Sequence, residues 1–197
     1  MGIGNCFSGL IQGIEYYRKN PSQEVTGIIH DKLSGYGIHD IDFVCGFDVG
    51  ENKVGKLLHE AIYEYPNMVD WIAKDDLPKN EAMIYESPIL DGVGIWVENK
   101  IKPIVSTKTT EQIAEEVKQV IKDKGVEIIV SYLPVGSDKV TEFWAQICLD
   151  TKTAFVNCIP SFIASDEKWA KKFEDANVPC IGDDIKGQVG ATIVHRT

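Results

Sequence analysis

What most constrains this chain is an alternation that begins at Thr109. Three short apolar runs, Val126–Tyr132, Ala154–Ile159 and Val178–Gly182, are separated by segments with helical periodicity. Strands joined by helices of ten or more residues pair in parallel, because a crossover of that length carries the chain back to start the next strand in the same direction. The spacing therefore predicts an α/β chain with a doubly wound, mainly parallel sheet. In the first helical segment Ile113, Val117, Val120 and Ile121 recur at helical spacing behind a Thr109-x-x-Gln112 capping box, and Gly125 ends it. Ser137 is expected to cap the next helix, with Val140, Phe143, Trp144 and Ile147 on its core face. Ser165 is expected to cap a third, carrying Trp169, Phe173 and Ala176.

The N-terminal half is less regular. Met1-Gly2-Ile3-Gly4-Asn5-Cys6-Phe7-Ser8 runs into a helical pattern with Leu10, Ile11, Ile14 and Tyr17 on one face. Gly2 and Gly4 form G-x-G, with Ser8 where a stricter dinucleotide fingerprint has a third glycine. Such glycines let the backbone approach a pyrophosphate at a helix N-terminus. The motif is weak alone, since an ordinary glycine turn has the same spelling, and only Met1 stands where a strand should precede it. Residues 20–40 read as an irregular connection, and Ile41–Phe47 as a strand ending in Asp48. An acidic residue at that place can bind a ribose, although it follows the glycines by far more than the usual interval of about 20. Val54, Leu57, Leu58, Ala61 and Ile62 predict a helix stopped by Pro66. Residues 66–108 form an irregular insertion with a short strand at Ala82–Tyr85 and a turn at Leu90-Asp91-Gly92, to which the pattern assigns no chemistry.

Composition narrows the partners. The net charge is −10 and no Lys/Arg run occurs, so nucleic acid is a poor partner. No apolar stretch reaches spanning length, so no membrane segment is expected. The five cysteines are widely spaced with no C-x-x-C pair, which fits reduced thiols in a cytoplasmic protein. The four histidines show no ligand spacing, so no metal site is indicated.

Polar residues collect where the strands end. Ser131, Asn157 and Asp183 each stand at or beyond the carboxyl end of a predicted strand, the edge at which open α/β sheets bind ligands. Asp183, Asp184 and Lys186 put two anions and a cation within one turn. A lysine so placed can transfer protons. From spacing alone a solvated turn with a surface ion pair is the simpler account.

Seven segments occurring in order carry a resemblance. They are Gly2-Ile-Gly4-Asn-Cys6, Gly13-Ile-Glu-Tyr-Tyr17, Phe47-Asp48-Val49, Leu90-Asp91-Gly92, Ser131-Tyr-Leu-Pro-Val-Gly-Ser137, Phe155-Val-Asn-Cys-Ile-Pro160 and Gly182-Asp-Asp-Ile-Lys186. The chain as a whole resembles the myo-inositol-1-phosphate synthases, also called inositol-3-phosphate synthases, of the shorter bacterial and archaeal type. The resemblance implies residues 1–197 as a Rossmann-like NAD-binding domain, lacking its first strand and a second, catalytic and tetramer-forming domain into which 182–197 would lead. It implies a cytoplasmic homotetramer that converts D-glucose 6-phosphate to 1D-myo-inositol 3-phosphate for inositol and phospholipid biosynthesis. NAD would oxidise C5, a C6 proton would leave, the enolate would attack the C1 aldehyde, and the ring ketone would be reduced. By the same resemblance Gly2, Gly4, Asn5 and Cys6 would line the cofactor phosphates and Asp48 the ribose. Ser131, Leu133 and Pro134 would follow the cofactor, Asp184 would approach the nicotinamide, and Lys186 would move protons and steady the oxyanion. Gly187 stands where the family usually has serine.

Two other functions fit the pattern less well. A dehydrogenase of a small hydroxy acid needs a His or Arg at a strand end, and none is found there; His195 falls in the last helical run. A non-catalytic nucleotide-binding remnant or subunit would keep the glycines and dispense with Lys186.

Overall fold

A computed structural model describes residues 1–21, 28, 30–93 and 98–184. The chain divides into two compact units. One comprises Met1, Pro88–Gly94 and Thr110–Thr197; the other comprises Gly2–Ser87 and Ile95–Thr109. Lys186 and the predicted last helix lie outside the described residues.

The C-terminal unit follows the predicted alternation. Its order is α3 (Thr110–Lys124), β5 (Ile128–Ser131), α4 (Asp138–Thr151), β6 (Ala154–Asn157), α5 (Glu167–Ala176) and β7 (Cys180–Ile181). The strands form a parallel sheet in the order β5-β6-β7, with Ser131 opposite Asn157 and Val156 opposite Ile181. Met1 extends this ladder by one residue: its amino group donates to the Val130 carbonyl (2.6 Å), and the Tyr132 amide donates to its carbonyl (2.9 Å). Fully buried Trp144 and Phe155 anchor the core. Phe173 stacks on Phe155 at 6.4 Å, so the apolar face of α5 is fixed against the middle strand. Burying side chains of this size stabilises by roughly 1.5–3 kcal/mol each.

Ser137 holds the predicted N-cap position of α4, but it makes no side-chain bond to the helix amides. The carboxylate of Asp91 reaches across from the Leu90–Gly92 turn and accepts from the Lys139 and Val140 amides at 3.1 and 2.9 Å. At α5 the cap is Asp166, not Ser165: its carboxylate accepts from Lys168 and Trp169. An ionised acceptor complements the positive end of a helix better than a hydroxyl does, and each of these reaches two amides at once.

The N-terminal unit holds α1 (Asn5–Lys19), a hairpin of β1 (Lys32–Leu33) and β2 (Tyr36–Gly37), β3 (Cys45–Asp48), α2 (Leu58–Ala61) and β4 (Met83–Glu86). Ser34 and Gly35 both take positive φ, 52° and 90°, as a two-residue hairpin turn requires. β3 pairs in parallel with β4, Asp48 opposite Glu86. The predicted strand from Ile41 shortens to Cys45–Asp48; the Ile41 carbonyl, which a ladder would use, accepts from the Arg18 guanidinium instead, and the same guanidinium pairs with the Asp42 carboxylate. The predicted helix over 54–62 shrinks to Leu58–Ala61. Gly55 and Lys56 pair with Ile84, and Leu58 with Ala82, in an antiparallel bridge that holds the chain extended just where the helix should begin. Ile3, Phe47, Leu58, Ile62 and Ile84 are almost wholly buried around these strands.

Pairing between neighbouring strands is thus mainly parallel, and the chain is α/β with a Rossmann-like order of elements.

Candidate functional site

The glycine turn belongs to the N-terminal unit, where the amide of Gly2 bonds to the carbonyl of Phe47 at 2.9 Å. Gly2 takes φ 74°, which a side chain would resist. Gly4 differs. It caps α1 with φ −93°, and a Cβ built there would meet no atom within 4 Å. Nothing inside the protein therefore excludes a side chain at Gly4; what a glycine preserves there is open space at the head of a 15-residue helix. That helix has no side-chain cap and no acidic residue in its first turn. Both facts favour an external anion.

Asp48 ends β3 beneath this turn and is 9% exposed. Its Oδ2 accepts from the Ile3 amide at 2.8 Å, and its Oδ1 from the Val49 and Gly50 amides, each at 2.8 Å. Asp48 is thus first a structural clasp between strand and turn. A carboxylate has about four lone-pair sites, so the geometry leaves about one for a ribose hydroxyl, not the two a free carboxylate could serve.

Two residues that the sequence did not flag complete the cluster. Lys53 is buried, and its Nζ donates to the Ile3 carbonyl (2.6 Å) and to Asn67 Oδ1 (3.1 Å). Asn67 Nδ2 donates to the same Ile3 carbonyl at 2.9 Å and to Ile62 at 2.9 Å. Burial pushes the Lys53 ammonium pKa down from its ordinary value, while the Asp48 and Glu64 carboxylates oppose that shift. Asn5, expected at the phosphates, instead spends its side-chain oxygen on the Met68 amide (2.7 Å). Cys6 is exposed in the first turn of α1.

In the C-terminal unit the strand ends form a second polar group. Ser131 and Asn157 sit side by side on β5 and β6, both at or below 1% exposed. Asn157 Nδ2 donates to the Ser161 carbonyl (2.7 Å) and to Asp183 Oδ1 (2.8 Å). Asp183 also gathers the amides of Ile163, Ala164 and Ser165 at 2.9, 3.1 and 3.1 Å. Burial alone would raise its pKa, but the Asn157 side chain and these three amides outweigh that and hold it below the ordinary carboxylate value. Asp183 therefore closes the loop after β6 and is spoken for. Ser131 Oγ and Asn157 Oδ1, in contrast, are buried without a hydrogen-bond partner among the described residues. A buried polar atom left unpaired costs about 1–3 kcal/mol, and an arriving donor can recover it.

Of the remaining expected residues, Leu133 is half-buried and Pro134 exposed in the loop after β5. Asp184 is exposed at φ 73°, with its amide on the Ile159 carbonyl at 3.1 Å. Lys186 lies outside the described residues. The residues of each unit thus suit a nucleotide cofactor: open space and an uncapped helix at Gly4, and an unpaired hydroxyl at Ser131. Among the described residues no cluster of His, Cys, Asp and Glu could hold a metal ion, and no helix is long and apolar enough to cross a membrane. No disulfide joins the five cysteines.

No protein-family model matches the chain. Curated relatives do. The inositol-3-phosphate synthase of Mycolicibacterium smegmatis is 45% identical over 197 residues, which is 100% of this chain and 52% of that protein. The inositol-3-phosphate synthase of Corynebacterium glutamicum is 45% identical over 99% of this chain and 52% of its own length. The chain spans about half the length of the curated relatives it matches. Among solved structures, the crystal structure of Ari2 aligns with a TM-score of 0.81 at 28% identity, covering 99% of this chain and 56% of that one. A myo-inositol-1-phosphate synthase-related protein from Thermotoga maritima aligns with a TM-score of 0.76 at 22% identity, over 98% of this chain and 55% of its own, and attests the fold alone. The whole chain is therefore homologous to about half of an inositol-3-phosphate synthase.

Proposed function

We propose that this chain is the NAD-binding part of an inositol-3-phosphate synthase, an isomerase that cyclises D-glucose 6-phosphate to 1D-myo-inositol 3-phosphate. The observation that carries this reading is 45% identity to such synthases across all 197 residues, with no stretch of the chain left unmatched. In this reading residues 1–197 are one Rossmann-like domain of a cytoplasmic homotetramer.

NAD, when bound, supplies a hydride acceptor and donor. The chain's own groups do the rest. The turn at Gly2 and Gly4 presents amides and empty space to the pyrophosphate, with Asn5 and Cys6 flanking it in the first turn of α1. Asp48 offers its remaining lone pair to the adenosine ribose, and its negative charge repels a 2′-phosphate. Ser131 gains a partner for its buried hydroxyl, while Leu133 and Pro134 shape the loop beyond it. Asp184 stands near the nicotinamide end by resemblance to the family. Lys186, by the same resemblance, holds the ammonium that stabilises developing oxyanion charge and exchanges protons with the sugar.

Calorimetric titration with NAD and NADP tests the cofactor assignment. Binding of NAD with NADP at least about tenfold weaker is expected, the equivalent of ~1.4 kcal/mol. Equal or tighter binding of NADP would remove Asp48 from the ribose site.

A further inference from the structure

We propose that Lys53 and Asn67 are positioning residues that aim the glycine turn at the cofactor's pyrophosphate. This rests on the NAD-binding reading above. Ile3 is the middle residue of Gly2-Ile3-Gly4, and its two backbone polar groups are both pinned by side chains. Its amide is held by Asp48 at 2.8 Å. Its carbonyl takes two donors, Lys53 Nζ at 2.6 Å and Asn67 Nδ2 at 2.9 Å. With the Gly2 amide on the Phe47 carbonyl, neither peptide plane of the turn is free to rotate.

The direction of that carbonyl decides where the next amide points. A trans peptide is planar, with its C=O and N–H directed oppositely. Holding the Ile3 oxygen inward on Lys53 and Asn67 therefore turns the Gly4 N–H outward. The surroundings of Gly4 are open, since a Cβ added there would touch nothing within 4 Å. The two side chains thus fix a donor toward the space where a phosphate oxygen would stand. Charge acts in the same sense. The chain carries −10 overall, and Asp48 adds a carboxylate directly below the turn. An ammonium buried beside that carboxylate offsets it, so a doubly anionic pyrophosphate is not repelled. A lysine placed only to fill the core would be costly to bury; this one directs two of its three N–H donors to acceptors that both bear on the turn.

The test separates pyrophosphate binding from adenosine binding. Wild-type chain, Lys53→Met and Asn67→Ala would be titrated with NAD, ADP-ribose and adenosine, with circular dichroism reporting folding. Both variants should weaken NAD and ADP-ribose, Lys53→Met by about tenfold or more, the loss expected when a charged hydrogen bond is removed. Adenosine binding should stay within about twofold of wild type, because the turn does not face it. Unchanged ADP-ribose affinity in both folded variants would overturn the proposal while leaving the NAD reading in place. An equal loss for adenosine would overturn it too, by reducing both residues to scaffold. Failure of the wild-type chain to bind any of the three would take down the NAD reading and this inference with it. If Lys53→Met does not fold, Asn67→Ala decides alone, since Asn67 is only half-buried.

Discussion

Asp48 illustrates how one side chain serves fold and ligand together. Three backbone amides depend on its carboxylate, so Asp48→Ala strands three donors in a buried site. We expect a loss on the order of 3 kcal/mol in urea denaturation, along with the loss of NAD affinity. A variant as stable as wild type would show that the clasp is dispensable. Asp183 makes a different prediction, about pH. Its folded carboxyl pKa lies below the ordinary value of 3.8. A group depressed on folding contributes stability above its unfolded pKa and loses it as pH falls through the folded one. The urea midpoint should therefore fall between about pH 5 and pH 2, and Asp183→Asn should flatten that part of the profile. An unaltered profile would mean that other carboxylates govern acid unfolding. Neither role was legible in sequence. Asp48 looked like a strand-end acid and Asp183 like a surface ion-pair partner, and Lys53 was not singled out, because hydrogen bonds to residues distant in the chain, such as Ile3, leave no local pattern.

The helices show the same division between local and distant causes. α3, α4 and α5 were readable because their apolar positions repeat at helical spacing and the sheet they cover demands that repeat. The capping acceptor of α4 was misread because it comes from a distant turn, and that of α5 was misread by one residue. Asp91, in a turn to which no chemistry had been assigned, supplies the acceptor that Ser137 was expected to give α4. Asp91→Ala should therefore destabilise by about 1 kcal/mol, and Ser137→Ala by clearly less. Thermal melts of the two variants check this; the reverse order would restore the local cap. α2 was over-read for a related reason. Residues 54–62 carry a helical pattern, but Gly55 and Lys56 pair with Ile84, and a strand bridge overrides local propensity.

At the scale of the molecule, the parallel α/β order from Thr109 onward was written in the sequence, as was the kinship with inositol-3-phosphate synthases. The family resemblance was legible because seven short segments occur in order along the chain. The division into two compact units was not, since no linker composition marks it. The central claim is that this chain does the work of the matching half of a synthase, with Lys186 at the chemistry. The most direct measurement replaces that half of the Mycolicibacterium smegmatis synthase with this chain and assays inositol phosphate formed from D-glucose 6-phosphate and NAD. The hybrid should turn over. The same hybrid with Lys186→Ala should lose activity by about 2.7–4 kcal/mol of transition-state stabilisation while still binding NAD. Turnover that survives Lys186→Ala undiminished would contradict the account.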